Sequence, residues 1–335
     1  MPKLPRPGPR NLISDVAGLT VGHAHDPGAG TGVTTVFCDD FYNASVDVRG
    51  GGPGVRETET LSPENLVGRA HAFVFAGGSV FGLGAADGVV SGLSARGVGL
   101  HLKPGSPAIP IVPAAVLHDL ANPGDKAWGL EPPYRRLGLQ TLDAATADFA
   151  LGSAGAGFGA MAGLIKGGVG SASIDLGDGL IVAALVVANP VGSVMTPDGK
   201  AFWAWPFEID GEFGGGRPDL DVPAIDPVPD DGRLATLGRL QTGAATTIGV
   251  VATTADLTTA ECRRMAMMAH DGLARAVRPA HMPFDGDTLF GVATGAVGIG
   301  DRDARPAVLA AIGSAAADCT ARAIARGVYE ALRTA

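Results

Sequence analysis

The sequence predicts an α/β layered domain, and three observations carry that prediction. Runs of β-branched and apolar residues alternate with helical patterns along the chain. Most runs are closed by Gly, Pro, Asn or Asp, which end strands and open turns. The packing material is small: 46% of the 335 residues are hydrophobic, yet aromatics make up only 5% and 51 residues are Gly. A core of Ala, Val, Leu and Gly lets backbones and layers approach closely. The length suits one large domain or two ordinary ones.

The elements follow in order. The opening runs AGLTVGHAHD and GVTTVFCDD are β-rich and broken by Gly, Asp and Pro, which predicts short strands and turns. AHAFVFAGGSVFGLGAADGVVSGLSARG reads as a strand, a tight glycine turn and a helix. DGLIVAALVVANPVG is a buried strand stopped at Asn189-Pro190. Residues 208–233 are rich in Gly, Pro and Asp and poor in packing residues. So long a structureless stretch is unusual inside a compact domain, and it reads as a linker, a lid or a segment that is cut. A strand is predicted over 247–252. Thr258 and Glu261 then form a capping box, since each side chain can satisfy a free backbone N–H at a helix start. That helix is expected to run to about residue 277, before Pro279. TLFGVATGAV is a further strand, and an Ala-rich helix is expected over 306–332, where Pro306 suits a first helical position.

Composition also narrows the function. The net charge is −9 with no dense Lys/Arg stripe, which argues against a nucleic-acid partner. The opening MPKLPRPGPRNL has no apolar signal core, and the apolar runs are broken by Gly short of a membrane span. A cytoplasmic protein with no membrane partner is expected. Cys38, Cys262 and Cys319 lie far apart without a CxxC and are expected to be reduced and buried. His23 and His25 lie near Asp26, but the histidines do not converge at metal-ligand spacing, so no metal is expected. No cofactor motif stands out either. The glycine turn AGGSVFG (76–82) lacks the Gly-Lys-Ser/Thr of a phosphate loop. GSAG (152–155) lacks the spacing of a serine nucleophile elbow.

Two motifs are sharper. PFDGDTLF (283–290) sets Asp285 and Asp287 two apart on a glycine turn before a strand. The plain reading is an acidic turn. The functional one is a pair of carboxylates that orients a nucleophile and tunes its pKa. GAATTIGVV (243–251) places Thr246 and Thr247 at the join between the soft stretch and a strand. They are either the β-branched start of that strand or the seat of a nucleophile.

TTIGVVATTADLTTAE, ARAVRPAHMPFDGDTLFGVATG, AGGSVFGL, GSAGAGFGAMAGLIKGG and VVANPVGSVM together resemble the DmpA-like L-aminopeptidase/D-esterase family. That family includes β-aminopeptidases, a pantetheine hydrolase and nylon-oligomer hydrolases; the threonine and DGDT motifs look closest to the last branch. The resemblance spans nearly the whole chain. It implies a four-layer αββα sandwich, similar to the N-terminal-nucleophile hydrolases but differently connected. It also implies a single domain (1–335) that cuts itself at Ala245–Thr246 into an α subunit (1–245) and a β subunit (246–335). Residues 208–245 would be a flexible linker before the cut. Thr246 would be the nucleophile and Thr247 a strand residue. A threonine hydroxyl needs a nearby base, and the freed α-amine, with a pKa of roughly 7.7–8.0, could serve.

The remaining roles are implied position by position. LIKGG places Lys166 at the family's active-site lysine. VANPVG places Asn189 at the asparagine whose amide helps hold an oxyanion. Asp285 and Asp287 match the pair that orients the nucleophile, and backbone N–H groups at Gly77 and Gly78 would border the substrate. Ala245 stands where threonine-nucleophile relatives usually carry Asn, although the similar-looking ornithine acetyltransferases cut an Ala–Thr bond. His118 stands where some relatives have a tyrosine lining the site, and is a pocket-wall or substrate-contacting residue. The implied activity is hydrolysis of short peptides, β-peptides or small ω-amino-acid amides and oligomers. The alternatives are an acyltransferase or an uncleaved, non-catalytic homologue. The implied assembly is a homo-oligomer, a tetramer of cleaved αβ units.

Overall fold

The computed structural model describes residues 5–219, 226–233, 245–301 and 303–334. Among these, strands β1 (Leu19–Asp26), β2 (Thr31–Val48), β3 (Val55–Arg56), β4 (Arg69–Ala76) and β5 (Ala114–Val116) occupy the first part of the chain, with helices α1 (Ala85–Ala95) and α2 (Tyr134–Thr141). The hairpin β6 (Met161–Ala162) and β7 (Ile165–Lys166) leads into β8 (Gly168–Asp175) and β9 (Ile181–Asn189). The last part is β10 (Thr246–Ala255), α3 (Thr259–Ala276), β11 (Thr288–Val297) and α4 (Arg305–Arg333).

The main strands run in the order β3-β5-β4-β2-β11-β10-β9-β8, with β1 on β2. The opening runs were expected to be short strands; β2 instead spans 18 residues. Its first half pairs with β1 and β4, and Asn43 to Val48 pair with β11. The register shift between Phe37 and Tyr42 is where a bulge redirects the strand from one half of the sheet to the other. The two halves face each other across a core of Phe73, Phe75, Leu185, Ile248, Val250 and Phe290. A second core sets α1 and α2 against Val33, Ala72 and Val74, and a third sets α3 and α4 against Val182, Val186, Val251 and Leu289. Even and odd positions along β9 and β10 enter different cores, as the two-residue strand period requires. The result is the four-layer αββα sandwich.

β10 is buried at every position, because β9 flanks it antiparallel and β11 parallel and both faces are covered. That is why TTIGVVATT reads as a continuous rather than an alternating pattern. The parallel partner is reached through α3, whose start carries the expected reciprocal cap between Thr258 and Glu261. Gly170 explains part of the glycine richness: a Cβ there would lie 1.9 Å from the Ala323 carbonyl of α4. α4 is long and apolar enough to cross a membrane, unlike the apolar runs anticipated from sequence, yet most of its apolar window is packed inside the fold. It carries buried Arg322, which donates to Glu212 at 2.5 Å and to the Ser173 carbonyl at 2.8 Å. All three cysteines are free and buried.

The expected flexible linker is only partly described; residues 220–225 and 234–244 lie outside the described residues. The described stretches are fastened to the fold. Glu208 accepts the N–H groups of Phe213 and Gly215, Glu212 meets Arg322, and Arg233 reaches the end of β9. Buried partners hold these stretches despite their Gly/Pro/Asp composition.

Candidate active site

The antiparallel register of β9 and β10 sets Thr246 opposite Asn189, so both side chains lie on the face between the two halves of the sheet. Thr247, one position on, has a buried hydroxyl without a hydrogen-bond partner among the described residues. A cavity of about 410 Å³ reaches Thr246. Val55, Val80, Leu83 and Val116 give it apolar walls, and Ser79 and His118 add polar groups. Burial lowers the pKa of His118 below that of a free histidine.

The DGDT turn folds directly against the threonine. Ala245 and Asp285 form a parallel bridge. The Gly286 N–H donates to the Ala245 carbonyl at 3.1 Å and to Thr246 Oγ1 at 3.2 Å. Thr246 Oγ1 itself donates to the Ala245 carbonyl at 2.5 Å. Asp287 Oδ1 accepts the Thr247 N–H at 2.8 Å. A Cβ at 286 would lie 2.7 Å from Thr246 Oγ1, so a side chain there would force the turn or the hydroxyl to shift. The carboxylates are therefore no surface turn: Asp285 is 2% exposed and Asp287 1%. Asp285 Oδ2 accepts the Met282 N–H at 2.8 Å, while Oδ1 has no hydrogen-bond partner among the described residues. Burial first, then the neighbouring Asp287, push the Asp285 carboxyl up to about 7.

The other expected groups are placed as follows. The Asn189 side chain accepts the Met161 N–H at 2.9 Å and donates to the His118 carbonyl at 3.3 Å. Lys166 Nζ donates to the Phe158 carbonyl at 3.3 Å, and among the described residues it makes no hydrogen bond to Thr246. The Gly77 and Gly78 N–H groups, expected to border the pocket, are hydrogen-bonded within the fold. Gly77 donates to the Gly32 carbonyl, and Gly78 donates to Asp119 Oδ1, which holds the turn from inside the fold; Ser79 and Val80 line the cavity. His23 bonds Thr34 and the Ala150 carbonyl, and His25 stacks on Phe158.

Sequence reading missed three contributors. His281 donates through its backbone N–H to Asp287 Oδ2 at 3.1 Å and places Nδ1 2.8 Å from the same oxygen. Arg233 reaches the Asn189 and Pro190 carbonyls. The loop RGGGPG (49–54) supplies Gly50 and Gly52 N–H groups to the Asp287 and Asp285 carbonyls. A Cβ on Gly50 would lie 2.2 Å from the Asp285 carbonyl oxygen, so the glycine run was the available signal for that close approach.

The family model for peptidase family S58 matches residues 11–335. An uncharacterized aminopeptidase of Mycobacterium bovis is 43% identical, with 96% of this chain and 94% of that protein covered. A 6-aminohexanoate-oligomer endohydrolase of Agromyces sp. is 30% identical, covering 86% of this chain and 76% of that protein. The structure of an L-aminopeptidase D-Ala-esterase/amidase from Ochrobactrum anthropi, titled a variant of the Ntn hydrolase fold, superposes with a TM-score of 0.70. It is 20% identical, with 99% of this chain and 89% of that chain covered. On a match that runs nearly end to end, the chain belongs to peptidase family S58.

Proposed function

We propose that this chain is a self-processing amide hydrolase whose nucleophile is the hydroxyl of Thr246. One observation carries the reading: Thr246 Oγ1 touches the Ala245 carbonyl, and the Gly286 N–H bonds both oxygens. In the first reaction Oγ1 bonds to the Ala245 carbonyl carbon, and the C–N bond to Thr246 breaks. The hydroxyl proton passes to the departing nitrogen. Water then hydrolyses the ester, leaving an Ala245 carboxylate and a Thr246 with free hydroxyl and α-amine. The Gly286 N–H is aimed at the carbonyl oxygen, where negative charge develops, the arrangement that stabilises an oxyanion.

After the cut the same hydroxyl would attack a substrate amide from the cavity, with the α-amine taking its proton. Asp285 Oδ1, buried and without a hydrogen-bond partner among the described residues, is a ready acceptor for that amine, and Asp287 fixes Thr247. Asn189 lies opposite Thr246 and would turn its amide from the His118 carbonyl to the substrate oxyanion. Lys166 would add positive charge near the amine. The cavity volume suits a small ligand, which supports short peptides, β-peptides or ω-amino-acid oligomers as substrates. The Agromyces relative is named for 6-aminohexanoate oligomers. We further propose a cytoplasmic homo-oligomer of cleaved pairs, by analogy with the family.

Intact-mass measurement and N-terminal sequencing of the purified protein test the reading. The small fragment should begin Thr-Thr-Ile-Gly-Val. Thr246→Ala should remain uncut and inactive, Thr246→Ser should retain some of each activity, and Thr247→Ala should still process. A fragment beginning at Thr247, or normal cutting in Thr246→Ala, overturns it.

A further inference from the structure

The short segment 229–233 lies across the end of β9 and the β6–β7 hairpin. The Arg233 N–H donates to the Val191 carbonyl at 2.8 Å, and the Leu164 N–H donates to the Asp231 carbonyl at 3.2 Å. The Ser193 hydroxyl donates to the Asp231 carboxylate. The Arg233 guanidinium then gathers three carbonyls through Nη2: Asn189 and Pro190 at 2.8 Å each, and Met161 at 3.3 Å. These carbonyls sit where Pro190 ends β9 and where the hairpin begins. Asn189 stands at that strand end, and Lys166 pairs with Met161 in the hairpin. One rigid, planar donor group therefore ties together the backbones that carry both residues. A flexible lysine ammonium would hold the same carbonyls with less directional control.

We propose that Arg233 is a positioning residue for the Thr246 chemistry, fixing the junction of Met161, Asn189 and Pro190 so that the Asn189 amide and the lysine hairpin stay in register with the nucleophile. The proposal rests on the Thr246 reading above. A second observation agrees with it: the guanidinium is close enough to Asp285 and His118 to act on both electrostatically. Burial moves Arg233 down to about 10, so it remains a cation at neutral pH. Because Arg233 precedes the proposed cut, it would stay with the larger fragment and act in both self-cleavage and turnover.

Self-cleavage supplies an assay that needs no external substrate. Arg233→Ala, Arg233→Lys and Thr246→Ala are purified in parallel, and the half-life of the intact chain is followed on denaturing gels beside a melting curve. We expect Arg233→Ala to melt within a few degrees of the parent yet cut on the order of 10²-fold more slowly, the scale of a small misplacement at a reacting centre. Guanidinium chloride at non-denaturing concentration should restore part of that rate, as should Arg233→Lys. A general loss of packing would not recover on adding a denaturant cation. Cutting by Arg233→Ala at the parent rate overturns the proposal, and so does slow cutting that neither guanidinium nor lysine improves. Should Arg233→Ala fail to fold, Arg233→Lys and Ser193→Ala, which loosens the Asp231 fastening, carry the test: slowing in both supports it and parent rates in both overturn it. If Thr246→Ala still cuts, the underlying reading fails; if Thr246→Ala stays intact while Arg233→Ala cuts normally, only the role of Arg233 fails.

Discussion

Replacing Asp285 by Asn should stabilise the folded chain in alkaline solution while disabling it. The carboxyl is 2% exposed, its Oδ1 lacks a partner among the described residues, and its pKa rises from 3.8 to about 7. Folded chains therefore hold a proton that unfolded chains release. Stability from this group is fully present below about pH 3.8 and is lost as pH rises through about 7. At about 1.36 kcal/mol per pH unit the full loss approaches ~4 kcal/mol, and local relaxation would reduce it to about 2–4 kcal/mol. Asparagine resembles the neutral carboxyl and does not titrate. Asp285→Asn and its parent should thus differ little near pH 4 and diverge up to about pH 8. For a chain of this size, roughly 2 °C per kcal/mol makes the separation about 4–8 °C. The assay is thermal melting from pH 4 to 9, with both proteins in a Thr246→Ala background so that cutting cannot alter the species compared. A melting difference independent of pH, or a less stable Asn variant at pH 8, would refute the reasoning. Turnover and self-cleavage of Asp285→Asn in the Thr246 background should fall by roughly 10²-fold or more.

Two further outcomes are expected. Gly286→Ala places a methyl 2.7 Å from Thr246 Oγ1, so it should fold but cut itself on the order of 10²-fold more slowly; an unchanged intact-chain half-life would show that the turn yields without cost. His281→Ala keeps the backbone bond to Asp287 and loses the ring nitrogen. Self-cleavage should slow by about tenfold, the rate equivalent of one hydrogen bond of about 1.4 kcal/mol, and parent kinetics would assign the ring a packing role against His270.

Much of this protein was legible in its sequence because the signals are local. The Thr258–Glu261 cap requires side chains three residues apart, and it formed. Asn189-Pro190 ends β9, as a residue without a ladder N–H should. The predicted strand at 247 begins one residue earlier, and the predicted helix 306–332 is α4 with an extra residue at each end. The motifs also placed the chain in its family. Tertiary structure alone decided what depends on distant partners. The 18-residue β2 looked like short strands because its two halves serve different neighbours. The Gly77–Gly78 turn looked open, but Asp119, far along the chain, consumes its N–H. Arg233 sat in a stretch whose composition suggested a free linker, and carbonyls from two remote elements anchor it. Asp285 was one of two similar acids two residues apart. Only packing left its Oδ1 buried and without a hydrogen-bond partner among the described residues, because burial and pairing belong to the folded surroundings rather than to a residue's neighbours in sequence.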